Sequence, residues 1–251
     1  MTTACAKVPA VTLGFWIIKI LATTLGETGG DTATMTLNLG YLMGSAIFLS
    51  LLVALVAMQI RARSFHPALY WATIVASTTA GTTLADFTDR SLGIGYAGGS
   101  VLLLVCVVGV LAAWYLSQGT VSVESVNQPK TESFYWATIT CSQTLGTALG
   151  DWMADDTGLG YLGGALVFGA ALAVIAALYF WTRASRVALF WAAFILTRPL
   201  GATLGDFLDK PLSEGGLALS RPLATAVMGA AIVLCVWFIP QRAGTRRDAA
   251  R

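Results

Sequence analysis

Charge is what this chain has least of. Of its 251 residues only 11% are Asp, Glu, Lys or Arg, while 56% are hydrophobic. The mean hydropathy is +0.73. Soluble domains carry about 25% charged residues, so a water-soluble core of this size is excluded and a multi-span membrane protein is expected. Histidine is nearly missing. His66 stands alone in a basic loop, which excludes a His-based metal site and a Ser-His-Asp hydrolase and leaves a solvated interface residue. The cysteines Cys5, Cys106, Cys141 and Cys235 show no C-x-x-C spacing. Three of them lie inside apolar stretches and read as small apolar fillers, and neither disulfide nor zinc is expected. No small-residue cleavage site follows Lys7 and Pro9, so no removable signal peptide is expected. No nucleotide motif occurs, and no alternation of a membrane β-barrel.

What is present is apolar sequence in eight stretches, at about 12–32, 38–60, 67–87, 94–117, 133–152, 158–182, 187–207 and 217–240. Each is about 20 residues or slightly longer, enough to cross about 30 Å of hydrocarbon as a helix. Helices are required because lipid cannot satisfy backbone polar groups. Lys7, Arg61, Arg63, Lys130, Arg183, Arg186, Arg242, Arg246, Arg247 and Arg251 fall on one side. Only Arg90, Lys210 and Arg221 fall on the other. The bias predicts that both termini are cytoplasmic and that the tryptophans sit near the inner interface. The basic tail Gln241–Arg251 is expected to fray against anionic headgroups rather than to bind nucleic acid.

One pattern recurs four times. Asp31, Asp86, Asp151 and Asp206 each stand fifteen residues after a tryptophan (Trp16, Trp71, Trp136, Trp191) and five after a glycine (Gly26, Gly81, Gly146, Gly201). The aspartates are 55, 65 and 55 residues apart, and the two halves match at a shift of 120. Two rounds of duplication of a two-helix unit explain this. The expected fold is all-α: a single integral membrane domain of eight transmembrane helices. They form four parallel two-helix repeats, at about 12–60, 67–117, 133–182 and 187–240, around a pseudo-fourfold axis along the membrane normal. A cytoplasmic linker at about 118–132 joins the halves. After the aspartate, Gly40-Tyr41, Gly95-Tyr96 and Gly160-Tyr161 open the even helices. Gly suits the turn, and Tyr suits an anchor at the outer interface. The fourth repeat lacks this pair.

Positions four, seven and eight before each aspartate share its helix face. That face carries Glu27, Thr24 and Thr23; then Thr82, Thr79 and Thr78; then Thr147, Thr144 and Gln143; then Ala202, Pro199 and Arg198. Asp89, Asp155, Asp156 and Asp209 follow just beyond the helix ends. A carboxylate in hydrocarbon must face the bundle interior and find a cation, a proton or a basic partner. Four on one axis, all ionised and empty, would repel one another strongly. Lys19 and Arg198 are intramembrane positive charges expected to neutralise carboxylates such as Glu27 or Asp206, as gating elements or as structural salt bridges. Pro199 and the glycines Gly26, Gly29 and Gly30 suggest broken helices beside the carboxylates. A blander alternative makes each aspartate the cap of a following turn.

The W…G…GD motif followed by L-G-Y-L-x-G, with TLGTALGDWMADDTGLGYLGG and RPLGATLGDFLDKP, resembles a family of bacterial repeat-containing inner-membrane proteins of unassigned activity. That resemblance implies eight helices and a bacterial plasma membrane. The stretch Glu27-Thr-Gly-Gly-Asp31-Thr is also similar, more weakly, to the repeat of manganese and calcium cation exchangers, although only the first repeat has the glutamate.

These residues predict a transporter, not an enzyme, exporting a divalent cation. Oxygen ligands without Cys, His or clustered Met favour Mn²⁺ or Mg²⁺ as substrate, with protons as possible counter-ion. The expected ligands are Asp31, Asp86, Asp151, Asp206 and Glu27. Thr24, Thr79, Thr82, Thr144, Thr147 and Gln143 would line the route, and Lys19 and Arg198 would be the charge partners. The expected partners are the lipid bilayer and a small inorganic ion. The alternative is a non-transporting scaffold, sensor or accessory subunit with structural carboxylates. An enzyme working on lipid headgroups ranks last, because no nucleophile–base pair is evident.

Overall fold

A computed structural model describes residues 6–245. Cys5 and the basic residues Arg246, Arg247 and Arg251 lie outside the described residues. The described chain is helical: α1 (Leu13–Asp31), α2 (Gly40–Arg61), α3 (Pro67–Asp86), α4 (Gly95–Gln118), α5 (Pro129–Asp151), α6 (Gly160–Trp181), α7 (Arg186–Asp209) and α8 (Arg221–Phe238). Their ends lie within about four residues of the apolar stretches, a difference of one helical turn. Thr12 and Ser185 cap α1 and α7 through their hydroxyls. Prolines begin α3, α5 and α8, where a missing N–H costs nothing.

The odd helices touch in cyclic order, α1 on α3, α3 on α5, α5 on α7 and α7 on α1. Each even helix then lies outside the odd helix of the following repeat: α2 on α3, α4 on α5, α6 on α7 and α8 on α1. Burial divides the helices accordingly. Most of α3 and α5 is buried, whereas α2, α4, α6 and α8 bury only two to four residues each. Their outer faces expose Leu42, Leu102, Val105, Leu166, Phe180 and Trp237 among many apolar side chains. A soluble protein does not present an apolar surface of that extent. Five helices, α2, α4, α6, α7 and α8, are long and apolar enough to cross a bilayer. The chain is a membrane protein. The remaining three, α1, α3 and α5, fall below that apolarity because they carry the repeated hydroxyls and carboxylates.

The repeated glycine five before each aspartate makes the ring close-packed. Thr78 presses on Gly26, Gln143 on Gly81, Arg198 on Gly146 and Thr23 on Gly201. In every case the intruder stands eight before the aspartate of the next repeat. One turn on, Thr82 presses on Gly30, Ala202 on Gly150 and Glu27 on Gly205. Rows spaced by four residues on neighbouring helices thus interdigitate, the ridge-into-groove pattern of i±4 packing. The helices α1 and α7 run unbroken through Gly26, Gly29, Gly30 and Pro199. The expected breaks are absent because these glycines receive neighbouring side chains instead of interrupting the helix.

The tryptophans also differ from expectation. Trp71, Trp136 and Trp191 are buried in an aromatic floor with Phe15, Tyr70, Tyr135 and Phe190. They are not interfacial anchors, because residues 6–10, 121–126 and 241–245 fold over this end and accept the N–H groups of two of them. Trp71 donates to Gln241 Oε1 at 3.3 Å and Trp191 to the Val121 carbonyl at 2.9 Å. Residues 241–245 are accordingly docked rather than frayed, with Pro9 and Ala243 in an antiparallel bridge. His66 is exposed, as expected, and Cys106, Cys141 and Cys235 are free.

At the opposite end, three of the aspartate helices run into a five-residue π-helical turn: Thr32–Thr36, Phe87–Ser91 and Trp152–Asp156. The chain then reverses through two left-handed residues. Gly40, Gly95 and Gly160 have φ of +72°, +74° and +66°, a conformation that glycine adopts without steric cost.

Candidate functional site

Four layers stack along the inside of the ring. The floor is Phe15, Tyr70, Tyr135 and Phe190, with the Tyr70 and Tyr135 hydroxyls 2.6 Å apart. Above it come Lys19, Ile74, Ile139 and Phe194, then Thr23, Thr78, Gln143 and Arg198, then Glu27, Thr82, Thr147 and Ala202, all buried. The repeated aspartates follow one turn further along their helices.

All four repeats meet at one atom. Arg198 Nη2, from the fourth, shares its two N–H groups among Glu27 of the first at 2.9 Å and the hydroxyls of Thr82 of the second at 2.6 Å and Thr147 of the third at 2.5 Å. The Thr82 hydroxyl passes the bond on to the Gly26 carbonyl at 3.0 Å. The pairing of Arg198 with Glu27 matches the expectation from sequence. Lys19 does not: its Nζ has no hydrogen-bond partner and lies 4.2 Å over the Phe194 ring. It sits about two turns below Glu27 on the same helix, too far to meet it.

The aspartates are joined in pairs by basic residues that the sequence reading left in the outer loops. Arg90 lies 3.0 Å from Asp86 and 3.8 Å from Asp151. Lys210 lies 3.2 Å from Asp206 and 3.3 Å from Asp31. Each cation follows its own aspartate by four residues and reaches across to the next repeat. Arg221 adds contacts of 3.7 Å to Asp31 and 3.5 Å to Asp209. The legible signal was a basic residue four after the aspartate in the second and fourth repeats, where the first and third have Met35 and Asp155. Arg90 also donates to the Tyr41 hydroxyl at 3.2 Å and faces the Tyr41 and Tyr96 rings, so these tyrosines belong to the site's rim.

Within this network two carboxylate trios close up: Glu27, Asp151 and Asp206, and Asp31, Asp206 and Asp209. In each trio the oxygens lie within 4.8 Å of one another. Four of the five expected ligands thus converge. Asp86 joins neither trio and is held by Arg90 instead. Asp209, which the sequence placed only just beyond the helix end, joins the second trio. The capping alternative fails for Asp31, Asp86 and Asp151, none of which makes a side-chain bond to the turn that follows. Among the expected route residues, Thr82, Thr147 and Gln143 face the ring interior. Thr24, Thr79 and Thr144 bond back to their own helices, at the carbonyls of Ile20, Val75 and Thr140, because a position seven before the aspartate turns off the inward row.

Counted with every group ionised, charge in the cluster does not cancel. Six carboxylates (Glu27, Asp31, Asp86, Asp151, Asp206, Asp209) face four cations (Arg90, Arg198, Lys210, Arg221), and six against four leaves two carboxylates in excess. Beyond the ends of the spans, burial raises the Asp89 carboxyl to a pKa of about 6, with Arg90 opposing. Neither oxygen of Asp89 has a hydrogen-bond partner, and the group is wedged against Gly99 of α4.

No curated protein and no solved structure matches the chain, and nothing supports the likeness to cation exchangers. One family does match, four times, at residues 14–65, 69–120, 134–185 and 189–243. These four segments take in every repeated aspartate and most of the chain, so the protein belongs to the family described as Repeat of Unknown Function (DUF347).

Proposed function

We propose that this chain is a transporter of a divalent cation, Mn²⁺ or Mg²⁺, acting as an exporter in a bacterial inner membrane. All eight helices would span the bilayer as four parallel hairpins about a pseudo-fourfold axis, with both termini cytoplasmic. The observation that carries this reading is the trio of Glu27, Asp151 and Asp206, three buried carboxylates from three different repeats with oxygens within 4.8 Å. A hard divalent ion prefers such an all-oxygen set, and its two charges match the formal excess of two carboxylates. Arg198 and Lys210 would hold the carboxylates while the ion is elsewhere and move aside when it binds. Protons would exchange through the same groups. The Arg198 layer and the aromatic floor close the axis below, so passage requires these layers to rearrange.

One observation favours a second reading. Arg90 and Lys210 each tie two aspartates of neighbouring repeats, which would hold the ring together with no ion, as in a scaffold or accessory subunit. The two readings part on metal. A cation that binds only the folded state must raise its stability. Purified protein is heated with Mn²⁺, Mg²⁺ or chelator, beside Glu27→Gln and Asp151→Asn, and metal content is measured in deletion and complemented cells. Transport requires a saturable stabilisation that both variants lose and a metal content that follows the gene. Melting indifferent to both ions, with unchanged cellular metal, leaves the scaffold.

A further inference from the structure

Below the carboxylates the balance of groups reverses, and donors outnumber acceptors. Lys19 Nζ, Thr78 Oγ1, Gln143 Nε2 and Arg198 Nε and Nη1 are all buried without a hydrogen-bond partner, as is one acceptor on the same side chains, Gln143 Oε1. They come from all four repeats. Thr78, Gln143 and Arg198 share one layer. Lys19 reaches in from the layer beneath, over Phe194, which precedes Arg198 by one turn of α7. Arg198 is matched by Glu27 through its Nη2. Lys19 has no hydrogen-bond partner and no carboxylate within ion-pair distance among the described residues, so its ammonium, whenever protonated, has no counter-charge at this level.

We propose that these residues form a second ligand site on the axis, for one small monovalent anion of halide size. An unpaired ammonium at this depth costs several kcal/mol, and stacking on a single ring offsets only about 2 kcal/mol. One anion neutralises the charge and accepts from the ammonium, the amide, the hydroxyl and the free edge of the guanidinium together. The size limit follows from the packing. Thr23, Thr78, Gln143 and Arg198 are each pressed onto a glycine of the preceding repeat, so an oxyanion at rest here would have to force these contacts apart. The site does not depend on the cation reading, and none of its unpartnered donors comes from a carboxylate.

The test uses the full chain in neutral detergent. Sodium gluconate is replaced by chloride at constant pH and ionic strength, and both thermal unfolding and the binding of radioactive chloride are recorded. Chloride is expected to raise the melting temperature saturably and to bind at about one ion per chain. Lys19→Met and Gln143→Leu should each weaken binding about tenfold or more, the loss of a hydrogen bond to a charged group. Asp151→Asn, which removes a cation ligand, should bind chloride as the unaltered protein does. If Lys19→Met does not fold, Gln143→Leu and the stoichiometry still decide. The proposal is overturned if melting is the same in chloride and gluconate with no saturable chloride bound. It is equally overturned if binding survives undiminished in every variant of the site that folds.

Discussion

Replacing Arg198 by methionine removes a group that joins all four repeats. The loss can be worked from its contacts. The guanidinium is fully buried and serves Glu27, Thr82 and Thr147. Thr82 keeps its bond to the Gly26 carbonyl, so that hydroxyl is not orphaned. Glu27 has no other salt-bridge partner among the described residues. Removing one member of a buried pair leaves an uncompensated charge and costs about 3–5 kcal/mol. Glu27→Gln in an otherwise unaltered chain should cost a similar amount, because Arg198 is then the orphan. The double variant Glu27→Gln/Arg198→Met should be more stable than the sum of the two losses, by about 2–3 kcal/mol. Reversible unfolding of the four proteins in mixed detergent micelles, titrated with SDS, measures the coupling. A coupling under about 0.5 kcal/mol, the additivity expected of sites that do not interact, would refute the claim that this guanidinium joins the ring at its centre.

Two further expectations follow from the packing and from Asp89. At Gly81 an added methyl meets the Gln143 backbone at 2.9 Å, so Gly81→Ala should lose about 1–3 kcal/mol in the same unfolding assay. Gly109→Ala on α4, with open space around it, should gain up to about 1 kcal/mol, and equal stability of the two would contradict the glycine account. Asp89 is held at about 6 in the folded chain against 3.8 when free. Its contribution to stability is therefore present below the free value and lost as pH rises through about 6. The melting temperature of Asp89→Asn should pull ahead of the unaltered protein across that interval and then stay level. A constant difference from pH 4 to 8 would show that the carboxyl does not titrate there.

Much of the candidate site was legible because duplication wrote it four times. The fixed register of aspartate, glycine and hydroxyl picked out Glu27, Thr82, Thr147 and Arg198, which the structure brings onto one nitrogen. Asp31, Asp151 and Asp206 fell into the carboxylate trios for the same reason. What escaped were partners set by contact between repeats. Arg90 and Lys210 looked like loop residues, since nothing within one repeat reveals that a side chain one turn past its aspartate reaches the aspartate of the next. Thr24, Thr79 and Thr144 shared a nominal face with the ligands but turned back to their own carbonyls.

The sequence by itself determined the eight helices and the placing of the four repeated aspartates at one end. Apolar length and a period repeated in the chain are local properties, and local properties survive without a fold. Only the tertiary structure decided that the odd helices form the inner ring, that each repeated glycine exists to receive the next repeat's side chain, and that three of the tryptophans face inward. Those outcomes depend on which surfaces meet, and close packing settles that between helices far apart in the chain.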